Sequence, residues 1–95
     1  MNWFTPWPEA HIKKEKEKAR LLRKTQWWDQ QLDTKKCHYC KNEFLKIDLT
    51  MDHKIPIVRG GMSTKSNVAP CCKSCNSAKK HQTDVEFLSE NKTNP

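Results

Sequence analysis

Two Cys-x-x-Cys pairs, separated by a long stretch of chain, constrain the fold of this sequence more than any other feature. The first pair is Cys37 and Cys40, and the second is Cys72 and Cys75. Structural zinc takes four tetrahedral ligands, which two such pairs supply from distant parts of a chain. A chain of 95 residues buries little core and benefits from such a crosslink. The spacing therefore predicts a structural zinc site with four cysteine ligands rather than buried free thiols or a redox pair.

Two neighbouring side chains are alternatives to these four ligands. Cys71 does not form a Cys-x-x-Cys pair with Cys75, so we expect it to be a small buried residue. His38 lies inside the first pair and is a substitute ligand only if one thiolate is missing.

The charge balance indicates a polyanionic partner. The chain has 18 Lys and Arg against 11 Asp and Glu, a net charge of +7, which favours nucleic acid. No apolar run approaches the roughly 20 residues of a membrane span, so no membrane partner is expected. No signal-peptide pattern opens the chain, and we therefore expect a cytoplasmic, intracellular location in which cysteines stay reduced.

Residues 1–36 are expected to form an N-terminal unit made of an extended segment and a basic helix. Pro6 and Pro8 favour extended backbone over residues 1–8, where Trp3, Phe4 and Trp7 are apolar anchors. Residues 9–31 contain neither Gly nor Pro, which predicts one long helix.

The two halves of that predicted helix differ in composition. Its second half carries an apolar stripe with Leu21, Trp28 and Leu32, which is either an intramolecular or a dimer face. Its lysine-rich first half is expected to be more exposed, either as a solvated face or as a phosphate-contacting arm that includes Arg20 and Arg23. Trp27 and Trp28 are interpreted as packing residues, with base stacking as the alternative.

The rest of the chain is predicted to form a domain over residues 37–90, followed by a disordered tail over 91–95. Its expected elements are a strand at 44–51 with Leu45 and Ile47 on its apolar side, a turn at Gly60 and Gly61, a return strand at 67–70, a helix at 72–80, and a last helix that begins with a capping box of Thr83 and Glu86. This pattern is typical of a small α+β fold.

Polar groups between and beside the cysteine pairs suggest phosphodiester hydrolysis. A neutral His53 can take a proton from water, while Asp52 and Asn76 offer oxygen ligands to a hard divalent cation. Asp52 and His53 are adjacent, so regular strand alternation sends their side chains to opposite faces. Both side chains must nevertheless approach one phosphate, so we expect the backbone there to leave regular strand geometry.

The ordered set of these residues resembles the HNH endonuclease family in its zinc-knuckle branch. The matching residues run from Leu49 to Pro56, then through Gly60, Gly61, Ser66, Asn67, Val68, Cys72, Cys75, Asn76 and Lys79. The resemblance covers about residues 37–80 and implies a ββα-metal (His-Me finger) core.

The resemblance also implies a role for each matching residue. His53 is the general base, and Asp52 and Asn76 hold one catalytic magnesium or manganese ion. Asn67 hydrogen-bonds backbone across the loop and fixes the orientation of His53. Lys79 contacts phosphate.

DNA is the implied partner, and further cations are predicted to contact it. Lys54, Arg59 and Lys80 lie in or beside the matching residues and join Arg20 and Arg23 as candidates. Phage or mobile-element proteins are further candidate partners.

The predicted function is metal-dependent DNA cleavage with low sequence specificity, one strand per active site. The alternatives are a non-catalytic, zinc-stabilised nucleic-acid-binding or interaction module, and a regulatory subunit that docks through its helix. Whether the protein is a monomer or a homodimer stays open: a protomer with one site is expected to cut one strand per encounter, and double-strand cleavage would need a dimer, a second binding event or a partner enzyme.

Overall fold

The computed structural model describes residues 5–91, over which the chain forms the predicted small α+β fold. Its elements are α1 (Glu9–Leu22), α2 (Gln26–Leu32), β1 (Leu49–His53), β2 (Val68–Cys72), α3 (Lys73–Lys79) and α4 (Asp84–Asn91), with short 3₁₀ turns at Lys46–Asp48, Ile57–Arg59 and Lys65–Asn67. The predicted anchors Trp3 and Phe4, and residues 92–95 of the predicted tail, lie outside the described residues. None of the helices in residues 5–91 is long and apolar enough to cross a membrane.

The two strands form an antiparallel hairpin that leads directly into α3. Leu49 pairs with Cys72 at one end of the ladder, and His53 pairs with Val68 at the other. The Cys72 sulfur accepts a hydrogen bond from the backbone N–H of Cys75 at 3.4 Å and so caps α3. This strand, strand, helix order is the predicted ββα arrangement, and the return strand extends two residues beyond the predicted end.

The predicted single helix over residues 9–31 is wrong, because the structure has two helices there. α1 ends at Leu22 and Thr25 takes an extended conformation, with φ −84° and ψ 154°. The Thr25 hydroxyl oxygen accepts a hydrogen bond from the backbone N–H of Trp28 at 3.2 Å, which starts a new helix. A threonine that caps a helix competes with helix continuation, and absence of Gly and Pro does not exclude such a break.

The predicted strand over residues 44–51 is also wrong in its first half. The chain forms a 3₁₀ turn at Lys46–Asp48, and β1 begins only at Leu49. Leu45 and Ile47, which were expected on the apolar side, are 66% and 84% exposed. Alternation of polarity indicated a strand, but β2 has no residues left to pair with this segment once Leu49 has paired with Cys72.

The first half of α1 packs against the domain, contrary to its predicted exposure. The contacts involve the loop between the two strands, residues 54–67, which we call the site loop. The backbone N–H of Trp7 donates to the carbonyl oxygen of Val58 at 2.8 Å, and His11 Nε2 donates to the carbonyl oxygen of Gly61 at 3.2 Å. Glu15 and Ala19 are buried on the same side of the helix. The helix is therefore a packed element rather than a free arm.

The hydrophobic core lies around the cysteine pairs. Its members are Cys37, Tyr39, Leu49, Cys71, Cys72 and Phe87, with Leu32, Phe44 and Cys75 packed at its edge. Trp28 is buried within the chain, whereas Leu21 is 52% exposed. Two of the three residues of the predicted stripe therefore face the domain itself.

The predicted turn and capping box are both present. Gly60 has a φ of 95°, which favours glycine, and follows the 3₁₀ turn Ile57–Arg59. Glu86 accepts from the backbone N–H of Thr83 at 2.9 Å, and Thr83 Oγ1 accepts from the backbone N–H of Glu86 at 3.2 Å. These reciprocal bonds start α4.

Gly61→Ala is expected to destabilise the protein strongly, because an ideal Cβ at this position lies only 1.7 Å from the carbonyl oxygen of Ile55. The backbone of the site loop must move to relieve that clash, so the free energy of unfolding should fall by more than about 2 kcal/mol. Urea unfolding of the zinc-loaded protein measures the change. Ser77→Ala, at an exposed position, serves as the control and should change the free energy of unfolding by less than about 0.5 kcal/mol. Equally small effects of both variants would contradict the close approach of Gly61 to the Ile55 carbonyl.

Candidate active site and metal centre

The four predicted zinc ligands come together at one point. The sulfur atoms of Cys37, Cys40, Cys72 and Cys75 all lie within 4.8 Å of one another. The first pair is positioned by a tight turn in which the backbone N–H of Lys41 donates to the carbonyl oxygen of Cys37 at 3.0 Å. Neither His38 nor Cys71 belongs to this group, and Cys71 is fully buried, as predicted.

The donor set and spacing of this group fit a zinc ion. Zinc–sulfur bonds of about 2.3 Å in a tetrahedron separate the sulfurs by roughly 3.8 Å, within the observed limit. Burial raises the pKa of the Cys37 thiol, but backbone N–H groups of Cys72, Cys40 and Tyr39 outweigh it and lower that pKa to about 7. A thiol with this pKa is readily converted to the thiolate that a metal requires.

Asp52 is a buried carboxylate with two partners, a tyrosine hydroxyl group and a lysine ammonium group. Tyr39 donates its hydroxyl proton to Asp52 Oδ2 at 2.5 Å, and Lys79 Nζ lies 3.3 Å from the same oxygen. Burial and the bond to Asp52 raise the pKa of the Tyr39 phenol, so it remains a proton donor. Lys79 also donates to the carbonyl oxygen of His53 at 2.9 Å. The carboxylate is therefore held in one position by two different elements.

Lys79 is not placed as the phosphate-contacting residue that the sequence suggested. It is only 1% exposed, and its ammonium group faces Asp52 and the end of β1. Lys79 does lie one helical turn after Asn76, as expected. Its long side chain, however, points inward and pairs with the buried Asp52 carboxylate.

The prediction that the backbone leaves strand geometry at Asp52 and His53 is wrong. Both residues pair in regular register, Asp52 with Ala69 and His53 with Val68. Their side chains still border one space, because β1 ends at His53 and the adjoining cavity is bordered by both the site loop and α3. The two side chains therefore reach the same cavity because the strand ends at His53, and not because the strand is distorted.

His53 is a half-buried imidazole beside the site loop. Its Nε2 lies 2.9 Å from the hydroxyl oxygen of Ser63. Burial lowers the pKa of His53, and the charges of Arg23 and Lys79 add to this effect against the opposing influence of Asp52 and Glu15. The ring is therefore largely neutral near pH 7, the state in which an imidazole accepts a proton.

Asn76 has its amide group oriented by a threonine of β1. Thr50 donates its hydroxyl proton to the carbonyl oxygen of Cys71 at 2.9 Å, so its oxygen can only accept a further hydrogen bond. Asn76 Nδ2 donates to that oxygen at 3.2 Å. The amide nitrogen is thereby occupied, and Oδ1 is the end of the amide that remains for a cation.

These residues border one open cavity of about 400 Å³. Its lining consists of Lys16, Met51, Asp52, His53, Pro56, Ile57, Val58, Asn76, Lys79, Lys80 and His81. The cavity thus brings together an imidazole, a carboxylate and an amide oxygen from β1 and α3. Oxygen donors of this kind suit a hard divalent cation.

Asn67 makes the backbone contacts across the site loop that were expected. Its Nδ2 donates to the carbonyl oxygens of Ile55 at 3.1 Å and Met62 at 2.8 Å, and its Oδ1 accepts from the backbone N–H of Ile55 at 2.9 Å. Met62 precedes Ser63, the residue that contacts His53. Asn67 therefore stabilises the part of the loop that lies against the imidazole.

The other cations predicted to contact DNA have different surroundings. Lys80 is exposed at the cavity, and Lys54 is half-buried. Arg59 forms an ion pair with Glu86 at 2.6 Å, and Arg20 forms one with Glu17 at 2.5 Å. The charge of Arg23 is close enough to His53 to influence the pKa of the imidazole.

Several residues of the site were not found from the sequence. They are Glu15, Tyr39, Thr50 and Ser63. Tyr39 and Thr50 have a weak local signal, since each lies within or beside a recognised motif. Glu15 has none, because its position depends on how α1 packs against the site loop.

The comparison with protein families identifies the core of the chain. A family model described as HNH endonuclease matches residues 37–92, more than half of the sequence. No curated protein matches the chain significantly. The matched residues include all four cysteines of the metal group together with Asp52, His53 and Asn76, whereas α1 and α2 lie outside them.

Cys72→Ala is expected to abolish stable zinc binding, because it removes one of four ligands and the sulfur cap of α3. Cys71→Ala is the matched control, since this neighbouring buried thiol is outside the metal group. Metal analysis after dialysis should give about one zinc per chain for the wild type and for Cys71→Ala, and much less for Cys72→Ala. Loss of zinc in Cys71→Ala but not in Cys72→Ala would instead assign Cys71 as the fourth ligand.

Lys79→Met is expected to lower the free energy of unfolding by about 3 kcal/mol, because it leaves the buried Asp52 carboxylate without its cation. The exposed neighbour provides the control, and Lys80→Met should change that energy by less than about 0.5 kcal/mol. Urea unfolding at fixed zinc concentration measures both. A small effect of Lys79→Met would show that the ion pair does not matter for the fold.

Proposed function

The chain belongs to the HNH endonuclease family, and from this premise we propose that it is a metal-dependent DNA endonuclease that cuts one strand per active site. The observation that carries the proposal is the shared cavity of Asp52, His53 and Asn76. A proton acceptor and two oxygen ligands around one space are the groups that phosphodiester hydrolysis requires. A protein that only binds nucleic acid has no need for this combination.

His53 acts as the general base in the proposed reaction. Its lowered pKa keeps the ring neutral near pH 7, so it can take a proton from a water molecule. The water oxygen attacks the phosphorus atom and forms a new P–O bond, while the bond to the leaving sugar oxygen breaks. That oxygen is then protonated by solvent.

Asp52 and Asn76 are the proposed ligands of a catalytic magnesium or manganese ion. Such an ion, when bound, would neutralise charge on the scissile phosphate and on the leaving oxygen. Tyr39 and Lys79 keep the Asp52 carboxylate in place, and Thr50 keeps the Asn76 amide oxygen available. The four-cysteine group is assigned to a separate, structural zinc ion.

DNA is proposed to approach along the cationic rim of the cavity. Lys16 and Lys80 border the cavity with exposed side chains and are the first candidates for phosphate contact. Arg20 and Arg59 can exchange their exposed carboxylate partners for phosphate, since such surface pairs contribute little. Contacts to phosphate carry no sequence information, so low sequence specificity is proposed.

We further propose that residues 37–90 are the nuclease domain and that residues 1–36 are an N-terminal unit, whose described part from residue 5 onward packs on that domain. Trp28 and Leu32 pack within the chain, so they are not available as a dimer face. A single copy with one active site would nick duplex DNA, and a double-strand break would need a second copy or a second event.

Incubation with supercoiled plasmid tests the function. The zinc-loaded wild type should produce nicked circles with magnesium or manganese and none with a chelator of these ions. His53→Ala should reduce the nicking rate by at least about 100-fold, because general-base catalysis is lost, while zinc content and DNA binding are unchanged. Full activity of His53→Ala would refute the mechanism; DNA binding without cleavage by the wild type would favour the non-catalytic binding module.

A further inference from the structure

Glu15 is a buried carboxylate on α1, outside the residues matched by the family model. Only 1% of the residue is exposed. Its Oε1 accepts a hydrogen bond from the backbone N–H of Ser63 at 2.7 Å, and this bond lowers the pKa of the carboxyl group against the effect of burial. Lys18 lies 3.6 Å from Oε2. A buried charge is costly unless it is hydrogen-bonded, so this one is committed to Ser63.

Ser63 has a second contact with the same helical residue. The Ser63 hydroxyl group lies 2.6 Å from the backbone carbonyl oxygen of Glu15. A carbonyl oxygen has no proton to give, so the single hydroxyl proton of Ser63 must point towards Glu15. The helix thus fixes both the backbone of Ser63 and the direction of its O–H bond.

The direction of that bond determines which nitrogen of His53 carries a proton. Because the hydroxyl proton of Ser63 points to the Glu15 carbonyl oxygen, Ser63 Oγ offers only lone pairs to His53 Nε2, which lies 2.9 Å away. Nε2 must therefore be the protonated nitrogen and donate to Ser63. In the neutral ring this leaves Nδ1 without a proton and with a lone pair that can accept one.

We infer that Glu15 and Ser63 are positioning residues which hold His53 in its Nε2–H tautomer, so that Nδ1 is the atom that accepts the proton from water. The inference rests on the proposed function for the use of Nδ1, but the tautomer itself follows from the hydrogen bonds alone. The N-terminal unit then completes the active site rather than serving only as a DNA-binding arm. Asn67 supports the same arrangement through its bond to Met62, the residue before Ser63.

Nitrogen-15 NMR of the histidine ring tests the tautomer without any cleavage. The zinc-loaded protein is examined without magnesium, and the His53 signals are identified by their absence in His53→Asn. The wild type should show the Nε2–H pattern. Ser63→Ala removes the hydroxyl but keeps the backbone N–H bonded to Glu15, so its ring should become a mixture of tautomers, whereas Ser63→Thr should restore the wild-type pattern. An unchanged pattern in Ser63→Ala would overturn the inference.

A pair of Glu15 variants tests the role of the helix. Glu15→Gln keeps an oxygen that can accept from Ser63, and Glu15→Leu has a similar volume without one. The Nε2–H pattern should persist in the first and weaken in the second. A folded Glu15→Leu with the wild-type pattern would overturn the part assigned to the Glu15 side chain; if that variant does not fold, Ser63→Ala and Ser63→Thr decide.

Plasmid nicking connects the tautomer with the rate. Ser63→Ala should lower kcat by about 10- to 100-fold, as is usual for a lost contact to a catalytic group, with little change in KM for DNA. Ser63→Thr should recover most of the rate, and the exposed Ser66→Ala on the same loop should be unaffected. A Ser63→Ala enzyme with normal kcat would overturn the inference. An inactive wild type with the expected NMR pattern would instead refute the proposed nuclease and leave the tautomer assignment intact.

Discussion

The rest of the structure depends on the convergence of four cysteine sulfurs from two distant parts of the chain. Cys37 and Cys40 approach Cys72 and Cys75 across the hairpin, and the core is built around them. The same segments carry the groups of the candidate active site, since Tyr39 lies inside the first pair and Asn76 follows the second directly. A metal bound by the sulfurs would therefore position both the Tyr39 hydroxyl that donates to Asp52 and the amide of Asn76.

The orientation of the reactive groups follows one physical rule at two places. A hydroxyl group gives its only proton to a backbone carbonyl and can then only accept from its other neighbour. Thr50 does this between Cys71 and the Asn76 amide, which leaves the amide oxygen for a cation. Ser63 does it between Glu15 and His53. Neither arrangement requires a further charged side chain in the cavity.

Local motifs made much of the molecule predictable, and long-range packing made the rest unpredictable. The cysteine group, the glycine turn, the Thr83 capping box and the loop contacts of Asn67 each depend on residues at fixed spacing, and the structure contains them all. The start of β1 was misjudged because alternating polarity says nothing of how many residues the partner strand offers. The break at Thr25 was missed because its cap acts without Gly or Pro. Lys79 was misread because the direction of a long side chain depends on the buried acid that it meets.

The position of α1 explains why this helix contains both a buried acid and a high density of lysine. Glu15 and Lys16 are consecutive, yet the first lies under the site loop and the second borders the cavity. One turn away, Lys18 pairs with the buried carboxylate, and Ala19 provides the small side chain that lets the helix approach closely. The basic composition that suggests a solvated or DNA-binding face thus also conceals an inward-facing residue. A helix that holds Ser63 against His53 on one side and presents lysines on the other would link the proposed DNA contact to the geometry of the imidazole. Composition alone cannot separate these two tasks.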